Sequence, residues 1–146
     1  MKAFKFPLEK VLGWRHLQMR SEEEKLALLQ RYLENLNQKA DALAAAEMNS
    51  RLGLLKMGTL QGSDLHALAP FQERVKRERA ALSVEKAQCE KRIAMQRVRL
   101  LKARKDFRVL EKLRERRLET WRYESNRELE NFAAEMHIAK LLRGDS

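Results

Sequence analysis

Side chains able to bind metals or act as nucleophiles are few and scattered in this sequence. The three histidines, His16, His66 and His137, have no cysteine or carboxylate beside them at the spacing of a metal-ligand set. Cys89 is the only cysteine and falls within an apolar repeat, where a small thiol packs well, so we expect packing rather than reactivity. The glycines between positions 53 and 62 are not followed by the Gly-Lys-Ser/Thr of a phosphate loop. The sequence therefore predicts no bound metal, no cofactor and no enzymatic activity.

The composition is typical of long helices. Of the 146 residues, 36% are charged, 44% are hydrophobic and 6% are aromatic, with only 5 Gly and 2 Pro. This excludes collagen-like and disulfide-rich chains and disfavours β-sandwiches and α/β sheets, which need more turn residues and more β-branched and aromatic side chains. No stretch approaches the roughly 20 uncharged residues of a membrane span. Because Glu9 and Lys10 also interrupt the apolar run that a signal peptide requires, we expect a cytoplasmic protein.

The first part of the chain carries a coiled-coil repeat. Two series of apolar residues recur every seven positions with an offset of three, the pattern of the a and d positions that form the seam between paired helices. The pattern predicts a first helix over about residues 7–57, with Pro7 in its first turn. The two series are Leu12, Met19, Leu26, Leu33 and Ala40, and Leu29, Leu36 and Leu43.

A cluster of helix-breaking residues follows, and it predicts a connecting segment over about residues 58–70. Within it, Ser63 and Asp64 are expected to cap a short helical turn that ends at Pro70.

A second helix is predicted over about residues 71–143, because no Pro or Gly interrupts this stretch and Gly144 can close it. An eleven-residue step in its apolar pattern predicts a stutter between Glu111 and Leu118. Its predicted seam residues before that step are Phe71, Val75, Leu82, Cys89, Ile93, Leu100, Ala103, Phe107 and Leu110.

A short connection between two such helices favours an antiparallel arrangement. We therefore predict one elongated all-α domain over residues 1–146, an antiparallel coiled-coil hairpin of two long helices whose second helix is longer and protrudes at its C-terminal end. Pairing Gly58 with Pro70 places Leu12 near Arg116, so residues after about Ser125 have no partner in their own chain.

This unpaired end is not uniformly polar, and exposed apolar surface on an unpaired helix often marks a binding site. A heterologous partner, a second copy of the chain, or fraying are the alternatives. The apolar residues concerned are Leu129, Phe132, Met136, Ile138, Leu141 and Leu142, with Trp121 and Tyr123 at their base.

Positive charge is concentrated between Lys91 and Arg117, within a chain whose net charge is +10. Three explanations are open for this run of basic residues: a helix face exposed to solvent, contact with an acidic protein partner, or non-specific binding of nucleic acid. No nucleic-acid recognition module is visible, so we expect no specific nucleic acid partner. A second apolar set lies off the main seam and either widens it or forms another docking strip: Val84, Val98, Leu101, Val109 and Leu113.

A phenylalanine-rich motif opens the chain, Phe4-Lys5-Phe6-Pro7-Leu8, followed by Val11-Leu12 and Arg15. It resembles the pattern Phe-x-Phe-x-Leu-x-x-Val/Leu-Leu-x-x-Arg of the flagellar export protein FliJ family. Length and architecture are similar over the whole chain, whereas residue matches are confined to the first fifteen residues and, loosely, residues 114–128. The family often has an Asp-Glu pair late in the second helix, where this chain has Ala134-Glu135-Met136.

The resemblance implies a stalk-like component of a type III protein export apparatus. FliJ-like proteins are antiparallel two-helix coiled coils similar to the central stalk subunit of rotary ATPases. They bind the export ATPase hexamer, promote its assembly, contact the cytoplasmic domain of the export gate and take part in chaperone handling. The resemblance thus implies a role in flagellum biogenesis and motility, at the cytoplasmic face of the inner membrane.

Candidate contact residues follow from this resemblance together with the geometry above. For the ATPase ring they are Phe4, Phe6, Arg15, Trp121, Leu129 and Phe132. For the export gate, which the family contacts at the start of the second helix, they are Phe71, Val75 and Leu82.

Three other functions stay open at this point. One is the closely similar stalk of a virulence injectisome. Another is a generic cytoplasmic coiled-coil adaptor, and the third is a non-specific nucleic-acid binder that uses the basic run.

Overall fold

A computed structural model describes residues 2–56, 58 and 62–144 of the protein. These residues form two long helices. Helix α1 spans Glu9–Lys56 and helix α2 spans Gly62–Leu142, and no strand occurs in these described segments. The all-α prediction is therefore confirmed, and the two helices are in contact. Within the same segments, neither helix contains a stretch apolar enough to cross a bilayer.

The helix ends follow local rules. The Glu9 amide donates to the Phe6 carbonyl at 3.1 Å and the Leu12 amide to the Leu8 carbonyl at 2.8 Å, so α1 grows out of the turn that contains Pro7. At the other end, Gly144 adopts a φ of 74° and its amide donates to the Leu141 carbonyl at 3.1 Å. A left-handed residue just after the last turn is the usual glycine stop, as the sequence predicted.

The start of α2 corrects the predicted connecting segment. Helix α2 begins at Gly62 and runs through Pro70, where the sequence predicted an end. Proline removes one backbone donor and disfavours the helical conformation of the residue before it, at a cost of about 3 kcal/mol. Because Pro70 has no amide hydrogen, the carbonyl of His66, four residues earlier, lacks its usual helical donor. His66 is exposed, so water can donate to this carbonyl instead. Asp64 in the first turn also favours this earlier start through the helix dipole.

The chain divides into two compact units. The middle unit comprises Ser21–Leu100, and the terminal unit comprises Met1–Arg20 and Leu101–Ser146. Each unit contains part of α1 and part of α2, and each has its own contacts between the two helices.

The core of the middle unit is small and apolar. Leu36 and Cys89 are each only 2% exposed and Ile93 is 6% exposed. Polar pairs also join the helices here: the Tyr32 hydroxyl donates to the Glu85 carboxylate at 3.2 Å. The half-buried residues packed around this core are Leu26, Leu29, Leu33 and Leu82.

The burial pattern confirms most of the predicted seam. All nine predicted α2 seam residues, from Phe71 to Leu110, are buried or half-buried. In α1 the one exception among the predicted positions is Ala40, which is exposed.

In the terminal unit, cross-helix pairs fix which residues lie together. Glu9 pairs with Arg114 at 2.9 Å, and Arg15 pairs with Asp106 at 3.2 Å. Leu12 lies between Glu9 and Arg15 in sequence, so it faces the stretch between Asp106 and Arg114. The predicted pairing of Leu12 with Arg116 is therefore wrong, because it assumed a connecting segment that extends to position 70.

Candidate interaction site at the end of α2

The N-terminal segment, residues 2–8, folds back onto α2 in the terminal unit. The Trp121 indole Nε1–H donates to the Lys2 carbonyl at 3.0 Å. The rings of Phe4 and Trp121 lie 6.1 Å apart at 55°, a tilted contact of the kind that aromatic pairs prefer. Backbone and ring contacts thus hold this segment at one place on the helix.

Two arginines of α2 strengthen this contact because their guanidinium groups lie over the rings of Phe4 and Phe6. Arg114 lies 5.5 Å from the Phe4 ring centre while it also pairs with Glu9, and Arg117 lies 5.7 Å from the Phe6 ring centre. Each cation–π contact is worth about 0.5–1 kcal/mol at an exposed site. Phe6 itself is only 7% exposed. The Phe-x-Phe motif therefore anchors the chain to its own second helix.

Two shallow grooves meet at Trp121. One, of about 790 Å³, lies along the N-terminal segment and combines Phe4 and Trp121 with basic residues such as Lys5. The other, of about 600 Å³, leads from Ala3 and Trp121 toward Phe132. The second groove connects the anchored segment to the part of α2 that follows Ser125.

Beyond Ser125 the apolar residues of α2 are exposed to solvent. Trp121 and Ser125 are half-buried, whereas Phe132 is 61% exposed and Leu142 is 83% exposed. These side chains are uncovered in the described chain, and the protrusion of the second helix past the first stays a prediction. The other exposed apolar residues of this stretch are Leu129, Met136, Ile138 and Leu141. We call these six residues the α2 tip.

The six residues predicted to contact the ATPase ring differ in how exposed they are. Leu129 and Phe132 are free to meet a partner, and Phe4 and Trp121 are half-buried at the edge of the grooves. Phe6 is buried against α2 and in this conformation offers a partner almost no surface.

The remaining predicted ring-contact residue is Arg15. It is engaged within the chain, since its guanidinium pairs with Asp106 and also lies 4.9 Å from the Trp14 ring centre.

No protein-family model, curated protein or solved structure matches this chain.

The predicted gate-contact residues lie in the middle unit and mostly face the other helix. Val75 is only 3% exposed, and Leu82 is half-buried and packs against the apolar core. Phe71 is also half-buried, and the Arg74 guanidinium lies 5.5 Å from its ring centre. The gate contact of these residues stays a prediction.

Sequence periodicity missed a buried polar contact in the middle unit. Gln96 is 4% exposed, and its amide donates to both the backbone carbonyl at 3.1 Å and the carboxylate of Glu22. This hydrogen bond, more than the nearby Lys25 charge, lowers the pKa of Glu22 below its usual 4.5. The feature of the sequence that could have indicated this contact is Gln96 itself, a polar residue within the apolar repeat of α2.

Among the described residues, no group of three or more His, Cys, Asp or Glu side chains is placed to hold a metal ion. The geometry of both units is that of helix-to-helix packing and grooves open to solvent. The candidate site is the exposed apolar end of α2 together with the two grooves that meet at Trp121.

Proposed function

We propose that the protein is a stalk and regulatory component of a type III protein export apparatus. In this proposal it binds the ring of the export ATPase, promotes its assembly and activity, and links it to the cytoplasmic domain of the export gate. Export chaperones are further partners, and the protein works at the cytoplasmic face of the inner membrane. The flagellar system is favoured over an injectisome because the N-terminal motif resembles the flagellar family.

The proposal includes the finer architecture, an antiparallel coiled-coil hairpin whose second helix extends past the first. Two sets of contacts support it, one within each unit. In the terminal unit Glu9 meets Arg114 while Arg15 meets Asp106. In the middle unit, likewise, Tyr32 meets Glu85 and Glu47 meets Arg79 at 2.7 Å. In each unit, residues later in α1 pair with residues earlier in α2, as expected for antiparallel helices.

The observation that carries the proposal is the exposure of the α2 tip. Six large apolar side chains lie on consecutive turns of one helix, with exposures between 47% for Met136 and 83% for Leu142. Such a surface costs solubility and is expected where a partner covers it. A helix end with apolar side chains on several turns is suited to insertion into the apolar opening of a protein ring.

The anchored N-terminal segment gives the family motif a physical role in this proposal. By packing Phe4 and Phe6 against α2, it fixes the base of the tip around Trp121. The tip is then presented from a rigid base, which lowers the entropy cost of binding.

A pull-down and an ATPase assay with the purified export ATPase test the proposal. The variant Leu129→Ser with Phe132→Ser should lose ring binding and stimulation of ATP hydrolysis while keeping its helical circular dichroism. The matched control is Leu17→Ser with Leu28→Ser, because these leucines are as exposed, at 66% and 61%, but lie on α1. The control should bind normally.

Two results would count against the proposal. A wild-type chain that neither binds the export ATPase nor raises its hydrolysis rate would refute the stalk function and leave the coiled-coil adaptor and the nucleic-acid binder as alternatives. Equal loss of binding in the tip variant and the α1 control would mean that the tip is not the contact surface.

A further inference from the structure

The four most exposed members of the second apolar set do not widen the seam. Val98 and Val109 are each 67% exposed, Val84 is 58% exposed and Leu101 is 55% exposed. Leu113 alone is half-buried. The expectation of a wider seam is therefore wrong for four of the five residues, and the apolar side chains need another explanation.

In the terminal unit, two of these residues lie within a cationic helix face. Ala103 is buried and Phe107 and Leu110 are half-buried on the side of α2 that packs against α1, where Phe107 contacts His16. The opposite side, which we call the outer face, is exposed throughout. It consists of Leu101, Lys102, Lys105, Arg108, Val109 and Lys112.

The outer face has one sign of charge. From position 101 to position 112, all of which the structure describes, the outer face has four cations and two aliphatic side chains, and the exposed Glu111 lies on its flank. Asp106 lies on the flank and is already paired with Arg15 at 3.2 Å. The first acidic residue on the outer side is Glu115, which is followed by Arg116.

We propose that the outer face binds the surface of an anionic lipid bilayer. A helix lying in the bilayer interface needs cations for the acidic headgroups and aliphatic side chains that enter the boundary of the acyl chains. Lys105 and Lys112 can extend to the headgroups while their methylene stems follow Leu101 and Val109 inward.

Nucleic acid is the less suitable partner for the same residues. Phosphate-dominated binding gains nothing from Leu101 and Val109, and the outer face has no aromatic side chain on which a base can stack. The interleaving of aliphatic and cationic residues therefore favours lipid. This inference concerns a different side of α2 from the tip and does not depend on the proposed ATPase contact.

Vesicle co-sedimentation of the full chain tests the inference. We expect binding to vesicles of phosphatidylcholine mixed with phosphatidylserine, and none to phosphatidylcholine alone. Each cation near an anionic surface contributes roughly fivefold in partitioning, so Lys105→Gln with Lys112→Gln should weaken binding about 25-fold. The control Lys76→Gln with Lys86→Gln removes the same charge from exposed positions outside the outer face and should bind like the wild type.

A second variant separates lipid from a general affinity for polyanions. Leu101→Ser with Val109→Ser keeps every charge, and we expect it to lose vesicle binding several-fold because the aliphatic contacts are gone. Both side chains are exposed, so the fold is expected to persist, which circular dichroism checks.

Three results would overturn the inference. These are equal binding to neutral and anionic vesicles, equal weakening by the Lys76 and Lys86 control, and vesicle binding that the serine variant leaves unchanged. Duplex DNA bound as tightly as the anionic vesicles by both the wild type and the serine variant would identify phosphate binding instead.

Discussion

Replacing Leu36 with alanine tests whether the middle unit is held together by its small apolar core. Leu36 is the most deeply buried large side chain described, at 2% exposure, and it packs with Cys89 and Ile93. Leu36→Ala removes three buried carbons, a loss of about 2.4 kcal/mol at about 0.8 kcal/mol each. Residual cavity volume adds to this cost, and Leu-to-Ala changes in cores span about 2–5 kcal/mol.

The neighbours of Leu36 decide where in that range the cost falls. Leu26, Leu29, Leu33 and Leu82 are only half-buried, so they can move inward and fill part of the space. We therefore expect the free energy of unfolding to drop by about 2–3 kcal/mol, near the low end of the core range. Urea unfolding followed by circular dichroism measures this as a lower midpoint with an unchanged slope.

The matched control for this experiment is Leu28→Ala. Leu28 lies on the same helix at 61% exposure, so the change should cost less than about 0.5 kcal/mol. If Leu36→Ala destabilised the protein no more than Leu28→Ala, the described packing of α1 on α2 would be refuted. A changed slope would instead show that the unfolding reaction itself had altered.

The remaining predictions concern three polar or reactive groups of the middle unit. Cys89 is 2% exposed and its Sγ lies 3.5 Å from the Leu29 carbonyl, so a thiol reagent should label it at the rate of unfolding; immediate labelling would contradict this. The folded pKa of Glu22 lies below 4.5, so its carboxylate stabilises the fold above that pH and this stabilisation is lost as the pH falls through the folded pKa. Gln96→Met should therefore reduce the acid dependence of unfolding, and an unchanged acid transition would contradict the hydrogen bond. The bond to Glu85 raises the pKa of Tyr32 above 10.0, and Glu85→Gln should return it toward that value in an absorbance titration.

The helical architecture was predictable from periodicity, and its exceptions were not. Repeats of seven residues identify which side chains are buried, and positions such as Val75 and Leu100 follow that rule. Proline usually ends a helix, so the sequence predicts a break at Pro70, whereas α2 continues through it.

The candidate site was predictable only in outline. The exposed apolar residues beyond Ser125 followed from the lengths of the two helices. The fold-back of the N-terminal segment did not, because it has no periodicity and depends on a backbone carbonyl at Lys2 and on rings that meet far along the chain. Phe6 was therefore assigned to a partner when it packs on α2.

The buried contact of Gln96 with Glu22 has a consequence for how the two helices choose their alignment. Apolar seams with a regular repeat tolerate sliding by one repeat, since leucine replaces leucine. A slide of either helix would leave the Gln96 amide buried among aliphatic groups without an acceptor, at a cost of about 1–3 kcal/mol. The Gln96–Glu22 contact thus favours one alignment of the two helices over alignments shifted by one repeat, as polar seam residues do in coiled coils.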